Sequence, residues 1–460
     1  HDNNPVQSLA TPVGVDTQGE QFMIDLHEKY HGPHGLIAGM TGSGKSEFII
    51  TFILSLAVNY HPNEVAFILI DYKGGGLTGA FESDDFKLPH LAGTITNLDG
   101  SSIKRSLLSI ESELRRRQAA FNEARKISGE GTMDIYKYQQ LFRNGVVKEP
   151  IPHLFIISDE FAELKAQQPE FMDQLISTAR IGRSLGVHLI LATQKPNGVV
   201  DDQIWSNSRF RVCLKVQDKA DSMDMIKRAD AAEITQTGRF YLQVGFNELF
   251  ELGQSAYSGA DYVPKETEIE TKVVNSVSLL DNLGREEYVV KTENNDKKVE
   301  TNLRQVVEVN KYIYNLAKEE NAFSRPLWLE PIPAAIVIDD LKSKYNYAVK
   351  NTKGVSVVIG EYDDPTNQKQ ELLTQEFDEI GNTIIYGNSG SGKEMLIEAY
   401  LYSFIKDYDA NEVNAYVLDF GAETLTVFKD APQVNDVILS SDSEKITNLF
   451  KLLIKETATR

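Results

Sequence analysis

Eight residues, Gly39-Met40-Thr41-Gly42-Ser43-Gly44-Lys45-Ser46, match G-x-x-x-x-G-K-[ST] at every fixed position. A glycine-rich loop of this kind lets successive backbone N–H groups turn inward around phosphate oxygens, and the helix that follows presents its N-terminal end to the anion. In that geometry Lys45 reaches the β- and γ-phosphates of a nucleotide and the Ser46 hydroxyl ligates Mg²⁺. The candidate nucleotide contacts are Gly39, Thr41, Gly42, Ser43, Gly44, Lys45, Ser46 and Glu47, with ATP and Mg²⁺ as the implied ligands. Further along, Asp159-Glu160 closes the apolar run from His153 to Ser158. Beside the loop, Asp159 would share the magnesium shell with Ser46 through water, and Glu160 would polarise an attacking water. Thr193-Gln194 ends the next apolar run, where the Gln194 amide can sense a γ-phosphate or position water. Asp71-Tyr72-Lys73-Gly74-Gly75-Gly76 ends another and reads as a substrate or partner loop. Each piece has a plainer alternative: a glycine turn, an acidic helix start, an ordinary loop. A strand before the loop and a helix after it favour the catalytic reading.

The loop recurs 348 residues later as Gly387-Asn388-Ser389-Gly390-Ser391-Gly392-Lys393-Glu394. Gly387, Gly390, Gly392 and Lys393 keep their places. Glu394 stands where the hydroxyl belongs, adding negative charge beside phosphate and removing the usual magnesium ligand. One competent site followed by a degenerate one is the expectation, with weak or structural nucleotide binding and little hydrolysis at the second.

The elements that must carry these residues repeat as well. Lys45 to Asp71 spans 26 residues, as does Lys393 to Asp419, and Asn63-Glu64-Val65 and Asn411-Glu412-Val413 share an offset of 18 from each lysine. Leu36-Ile37-Ala38 and Thr383-Ile384-Ile385-Tyr386 are the expected strands before the loops; Ala66 to Ile70 and Ala415 to Leu418 are those after. Apolar runs separated by helices predict βαβ units and parallel buried sheets. Ile103, Leu107, Ile110, Leu114 and Phe121 form one stripe of a helix over 103–124; another helix is expected near 170–185, and strands at 153–158 and 187–192. The predicted fold class is α/β: tandem P-loop NTPase (RecA-like) domains with mainly parallel central sheets and helices on both faces. The expected boundaries are a first domain over 1–258, an acidic, partly ordered linker over 259–345, and the N-terminal part of a second domain over 346–460. In the first copy Asp159 follows Asp71 by 88 residues, so its counterpart is expected near position 507 of a longer chain.

A length of 460 residues exceeds one ordinary core. With 47 basic and 67 acidic residues, the net charge of −20 disfavours general binding to a phosphate backbone. Cys213 is the only cysteine and reads as a small hydrophobe on a strand; no intrachain disulfide exists. Phe48 to Val58, the longest apolar stretch, is too short to span a membrane. His31 and His34 lack surroundings that demand a metal. Arg115-Arg116-Arg117 point about 100° apart around a helix and read mainly as a solvated face. An arginine supplied by a neighbouring copy often completes a motor site; Arg105, Arg180, Arg183 and Arg209 are candidates that spacing alone does not separate.

The runs Gly39 to Phe48, Asp71 to Gly76, Leu88-Pro89-His90-Leu91, Ser158 to Leu164 and Gly186 to Pro196 closely resemble the FtsK/SpoIIIE family of motor ATPases. Ala179 to Gly186 and Asp201-Asp202-Gln203-Ile204-Trp205-Ser206-Asn207 narrow the resemblance to the membrane-anchored ATPases of type VII secretion. It covers nearly the whole chain. It implies membrane segments upstream, several ATPase domains in series, a hexamer at the cytoplasmic face of the cell membrane, other membrane components of the secretion machine as partners, and export of WXG100-type proteins. The family's arginine finger matches Arg105. The resemblance also implies a linker that docks on the first domain and restrains it, with Leu327-Trp328-Leu329-Glu330-Pro331 in that contact. Two other readings remain: a double-stranded DNA translocase of the same fold, disfavoured by the second motor domain and the acidic charge, and a nucleotide-gated docking platform that does not hydrolyse.

Overall fold

The apolar runs ending in Asp71, Asp159 and Thr193 form three adjacent strands of a ten-stranded sheet. The computed structural model describes residues 3–71, 75–96, 100–246, 248–263, 277–281, 284, 286–290, 303–329, 332–348 and 354–459. The chain divides into two compact units, His1–Trp328 and Leu329–Arg460.

In the first unit the strands of this sheet are β1 (Ala10–Asp16), β2 (Gln21–Asp25), β3 (Gly35–Ala38), β4 (Val65–Ile70), β5 (Leu91–Ile95), β6 (His153–Ser158), β7 (Val187–Thr193), β8 (Phe210–Cys213), β9 (Arg239–Val244) and β10 (Leu249–Ser255), with Val277–Leu280 and Glu286–Val290 forming a separate antiparallel pair. They lie in the order β2-β1-β10-β9-β8-β3-β7-β6-β4-β5. From β8 to β5 neighbouring strands are parallel; the β2-β1-β10-β9 side is antiparallel and joins β8 antiparallel. Every residue of β3, β4, β6 and β7 is buried, as expected where helices cover both faces of a parallel sheet. The helices include α1 (Lys45–Asn59), α2 (Gly76–Gly79), α3 (Gly100–Ser128), α4 (Ile135–Arg143), α5 (Phe161–Gln167), α6 (Pro169–Gly182), α7 (Asp202–Asn207), α8 (Lys219–Ile226) and α9 (Gln305–Glu320). α1 lies in the core on one face with Phe48, Phe52 and Leu56; α3, α5 and α6 fill the other through Ile110, Phe161 and Leu175. The stripe expected on α3 is buried at Ile103, Leu107, Ile110 and Phe121, and Cys213 lies wholly buried on β8, where burial pushes its thiol pKa up.

Arg117 corrects the reading of the three arginines. It is among the largest fully buried side chains, its Nε donating to Glu113 at 2.8 Å and its Nη1 to the Leu185 carbonyl at 2.8 Å. Arg116 also donates to Glu113, and to Glu149. A buried carboxylate shared by two guanidiniums keeps the charges inside, which spacing on the helix alone does not disclose.

Residues 303–328, expected within a linker, belong to the first unit. β5 is the edge strand, and the segment after α9 covers it: Ser324 N donates to the Pro89 carbonyl at 2.8 Å and Leu327 N to that of Ala92 at 2.8 Å. An uncovered edge leaves ladder groups unpaired, which favours such docking. The Asn310 amide, fully buried, donates to the Ala80 carbonyl at 2.9 Å.

The second unit contains α10 (Ile338–Lys344), a hairpin of β11 (Ser356–Asp364) and β12 (Lys369–Glu376), α11 (Phe377–Ile380), α12 (Lys393–Asp407), a parallel pair of β13 (Ala415–Asp419) and β14 (Val434–Leu439), and α13 (Ser443–Thr459). Thr383–Tyr386, expected as a strand, is not one: Ile384 and Tyr386 are 87% and 91% exposed. Its counterpart β3 is a strand because β7 and β8 flank it. Among the described residues of the second unit no strand pairs with 383–386.

Candidate nucleotide site

The phosphate loop leaves the C-terminal end of β3 in the middle of the sheet. Asp71, Asp159 and Thr193 lie at the matching ends of β4, β6 and β7, the crevice where open α/β sheets hold ligands. Gly42 and Gly44 take φ of 80° and 91°, values open to glycine, which turn the chain into α1. At Gly39 a Cβ would stand 2.5 Å from Ser43 Oγ and 3.1 Å from Leu214 Cβ, so the start of the loop also requires glycine.

Three of the candidate residues converge. Lys45, 6% exposed, donates from Nζ to Asp159 Oδ1 and to the Asp159 carbonyl, both at 2.5 Å. Ser46 Oγ donates to Asp159 Oδ2 at 3.1 Å. A hydroxyl, an ammonium and a carboxylate at the mouth of a glycine loop form a donor set that fits a magnesium–nucleotide pair. Glu160 is buried, and its Oε1 accepts from Thr193 Oγ1 at 2.8 Å and from Gln194 N at 3.3 Å. Gln194 Oε1 in turn accepts from Thr41 Oγ1 at 2.9 Å, tying the end of β7 to the loop. Glu47 sits half-buried in the first turn of α1.

Arg105, half-buried on the second turn of α3, is not a hydrogen-bond partner of Lys45, Ser46 or Asp159. Arg180, Arg183 and Arg209 gather elsewhere, at the opposite end of the sheet. Tyr72, Lys73 and Gly74 of the glycine run lie outside the described residues. Asp71 itself turns inward: its Oδ2 accepts from Leu77 N at 2.8 Å and Thr78 N at 3.2 Å, closing the turn into α2.

Sequence reasoning missed the clasp on the loop. Gly238 N donates to the Ser43 carbonyl at 2.8 Å, Thr237 Oγ1 to the Gly42 carbonyl at 3.4 Å, and Met40 N to the Lys215 carbonyl at 2.8 Å. A Cβ on Gly44 would stand 3.0 Å from Gly238 N. The only signal was a glycine turn ahead of an alternating strand, which announces no chemistry.

The second loop keeps the backbone of the first, and its lysine has other partners. Gly390 and Gly392 have φ of 75° and 87°, and a Cβ at Gly387 would strike Ser391 Oγ as one at Gly39 would strike Ser43. Lys393 folds back on its own loop, donating to the Gly387 and Asn388 carbonyls at 2.9 and 2.7 Å. Glu394 follows it on the first turn of α12. Asp419 repeats Asp71: its Oδ2 accepts from Leu425 N at 3.1 Å, again six residues on.

The FtsK/SpoIIIE family model matches residues 2–198 and 354–460. The chain is 45% identical over 463 residues to the ESX secretion system protein YukB of Bacillus subtilis (99% of this chain, 29% of that protein). It is 43% identical over 465 residues to the type VII secretion system protein EssC of Staphylococcus aureus (100% of this chain, 31% of that protein). It thus spans about a third of the length of these relatives. The cytoplasmic domain of the Thermomonospora curvata type VII secretion ATPase EccC has a similar fold, with a TM-score of 0.76 and 24% identity, over all of this chain and 52% of that one.

Proposed function

The chain belongs to the FtsK/SpoIIIE family, and from that premise we propose that its first loop is the hydrolytic site of a motor ATPase in a type VII protein secretion system. The observation that carries this reading is the convergence of Lys45 and Ser46 on Asp159, with Glu160 held beside them by Thr193 and Gln194. Asp159 keeps the lysine over the mouth of the loop, and arriving phosphates would take the ammonium from it. Ser46 and Asp159 are the groups that would hold Mg²⁺, which when bound screens the phosphate charge. Glu160 accepts a proton from the attacking water, and the Thr193 and Gln194 hydrogen bonds aim its carboxylate. Gln194, bonded to Thr41, couples the loop to the end of β7. The substrate cargo is a WXG100-type protein, the working assembly a hexamer at the cytoplasmic face of the membrane among the other components of the machine, and Arg105 the residue given to a neighbour's site. The Glu394 loop binds nucleotide weakly and turns over little.

The test is Mg²⁺-dependent ATP hydrolysis by this chain, beside Glu160→Gln, across a wide range of protein concentration. Specific activity that rises with concentration and disappears in the variant is the expected result. Full turnover by Glu160→Gln would refute the assignment, and stimulation by double-stranded DNA would move the cargo from protein to nucleic acid.

A second reading concerns restraint. We propose that the 324–328 segment holds the first unit in check through Trp328, which packs on Gly93 of the edge strand. Glu330 and Pro331, expected in the same contact, lie outside the described residues. If ATP binds without turnover, this contact is the first to release.

A further inference from the structure

Two motifs that the nucleotide site does not use meet at the other end of the sheet. Arg180 and Arg183, from the end of α6 and the turn after it, face Trp205 of α7 and Arg209 and Arg211 of β8 across a cleft of about 410 Å³. His34, just ahead of β3, completes its lining. β3 and β8 run parallel, with Gly35 opposite Phe210, so this cleft lies at the strand starts and the phosphate loop at the strand ends.

The rim charges are spoken for. Arg183 pairs with Glu28 at 2.5 Å and Arg209 with Glu248 at 2.6 Å. The inner donors are not. Arg211 lies over the Trp205 ring at 4.7 Å, its Nη1 reaches only the Met225 carbonyl, at 3.5 Å, and its Nε is buried without a hydrogen-bond partner. No carboxylate among the described residues pairs with Arg180 or Arg211. His34 is 5% exposed; its Nδ1 accepts from Leu189 N at 2.9 Å, so the neutral ring carries its proton on Nε2, which is buried and has no acceptor. Burial and Arg183 hold the His34 pKa at about 4, which keeps the ring neutral and this tautomer in place. A buried donor left without a partner costs about 1–3 kcal/mol unless something fills the place.

We propose that this cleft binds a phosphoryl group through Arg180, Arg211 and the His34 Nε2–H. Three donor groups match the three terminal oxygens of a phosphate monoester, and two uncompensated guanidiniums match its charge of about −2 better than that of one carboxylate. The source is either free inorganic phosphate or a phosphate ester, and the chemistry at the cleft is the same for both.

The chain has two tryptophans, so in a Trp328→Phe background Trp205 is the sole reporter, in van der Waals reach of Arg211. With the phosphate loop saturated by MgADP, Trp205 fluorescence is titrated with inorganic phosphate, O-phosphoserine and acetate at matched ionic strength. A saturable response is expected, weakened about tenfold or more by Arg211→Gln and by Arg180→Gln, as loss of one charged hydrogen bond implies. Tighter binding of O-phosphoserine assigns an ester as the ligand; tighter binding of inorganic phosphate assigns the free ion, and both support the site. Arg180 is exposed on its helix, so its variant reads the site even if Arg211→Gln fails to fold. No saturable response, or one that survives Arg180→Gln, overturns the proposal. An equal response to acetate also overturns it and makes the cleft a seat for an acidic protein segment.

Discussion

Replacing Gly93 by alanine should lift Trp328 from the edge of the sheet. A Cβ at Gly93 would stand 2.6 Å from Trp328 Cη2 and 2.8 Å from Cε2, and closer still to Cζ2, where ordinary contact begins near 3.4 Å. The ring must therefore retreat by about 1 Å, and overpacking of this kind costs about 1–3 kcal/mol. The ring is partly buried. If about half of a typical 200 Å² is covered, its docking contributes about 2–3 kcal/mol at 25 cal/mol/Å². The two figures are alike, so the substitution removes most of what the ring adds. A change of about 1–3 kcal/mol lowers the docked-to-undocked ratio about 5- to 150-fold. Hydrogen exchange reads this directly, because the Ser324 and Leu327 amides are bonded to β5-side carbonyls and are protected only while the segment is down. Both amides should exchange faster by that factor, and ATP turnover should rise if docking restrains the motor. Unchanged exchange at Ser324 and Leu327 in a folded Gly93→Ala chain would refute the clamp. Faster exchange with unchanged turnover would keep the docking and remove its regulatory role.

Acid should weaken the first unit before its carboxylates protonate. Burial holds His34 and His188 at pKa values of about 4 and about 3, below the ordinary 6.5, and lowers His153, whose Nδ1 lies 2.8 Å from His188 Nε2. Because the folded values are depressed, the unfolded chain takes up protons that the native one refuses as pH falls below 6.5; between pH 7 and 5 this removes about 2 kcal/mol for each of His34 and His188. Urea unfolding at the two pH values measures it, and equal stabilities would show that the imidazoles are not buried as described. Glu113→Gln should cost about 3–5 kcal/mol, since it strands the buried Arg117 guanidinium and half of Arg116. A loss under about 1 kcal/mol in the same assay would mean that water replaces the carboxylate.

The limits of the sequence follow from which interactions are local. The glycine loop, Lys45, Ser46 and the acidic strand end were legible because the chemistry demands those residue types and because each strand announces itself as an apolar run. The Thr237–Gly238 clasp was not, because a backbone N–H and a threonine hydroxyl carry no chemical signature and reach the loop from nearly two hundred residues away. The tandem repeat shows the same division. Ser55 stands ten residues after Lys45 and bonds the Pro12 carbonyl at 2.7 Å; Ser403 stands ten after Lys393 and bonds the Val358 carbonyl at 3.0 Å. Tyr60 and Tyr408, fifteen after each lysine, bond the Ala10 and Ser356 carbonyls at 2.9 Å. Each helix is thus braced on the hairpin strand that precedes it, a likeness hidden because the partners are backbone atoms of unlike residues. What depends on neighbours across the sheet diverges instead. Thr383–Tyr386 has an apolar pattern comparable to that of β3 but pairs with no strand among the described residues, and Lys393, which has the position of Lys45, donates to its own loop carbonyls. In the first unit the shape of the phosphate loop is local and the partner of its lysine is not: glycine torsions set the cradle, and Lys45 donates to an acid delivered by a strand more than a hundred residues away.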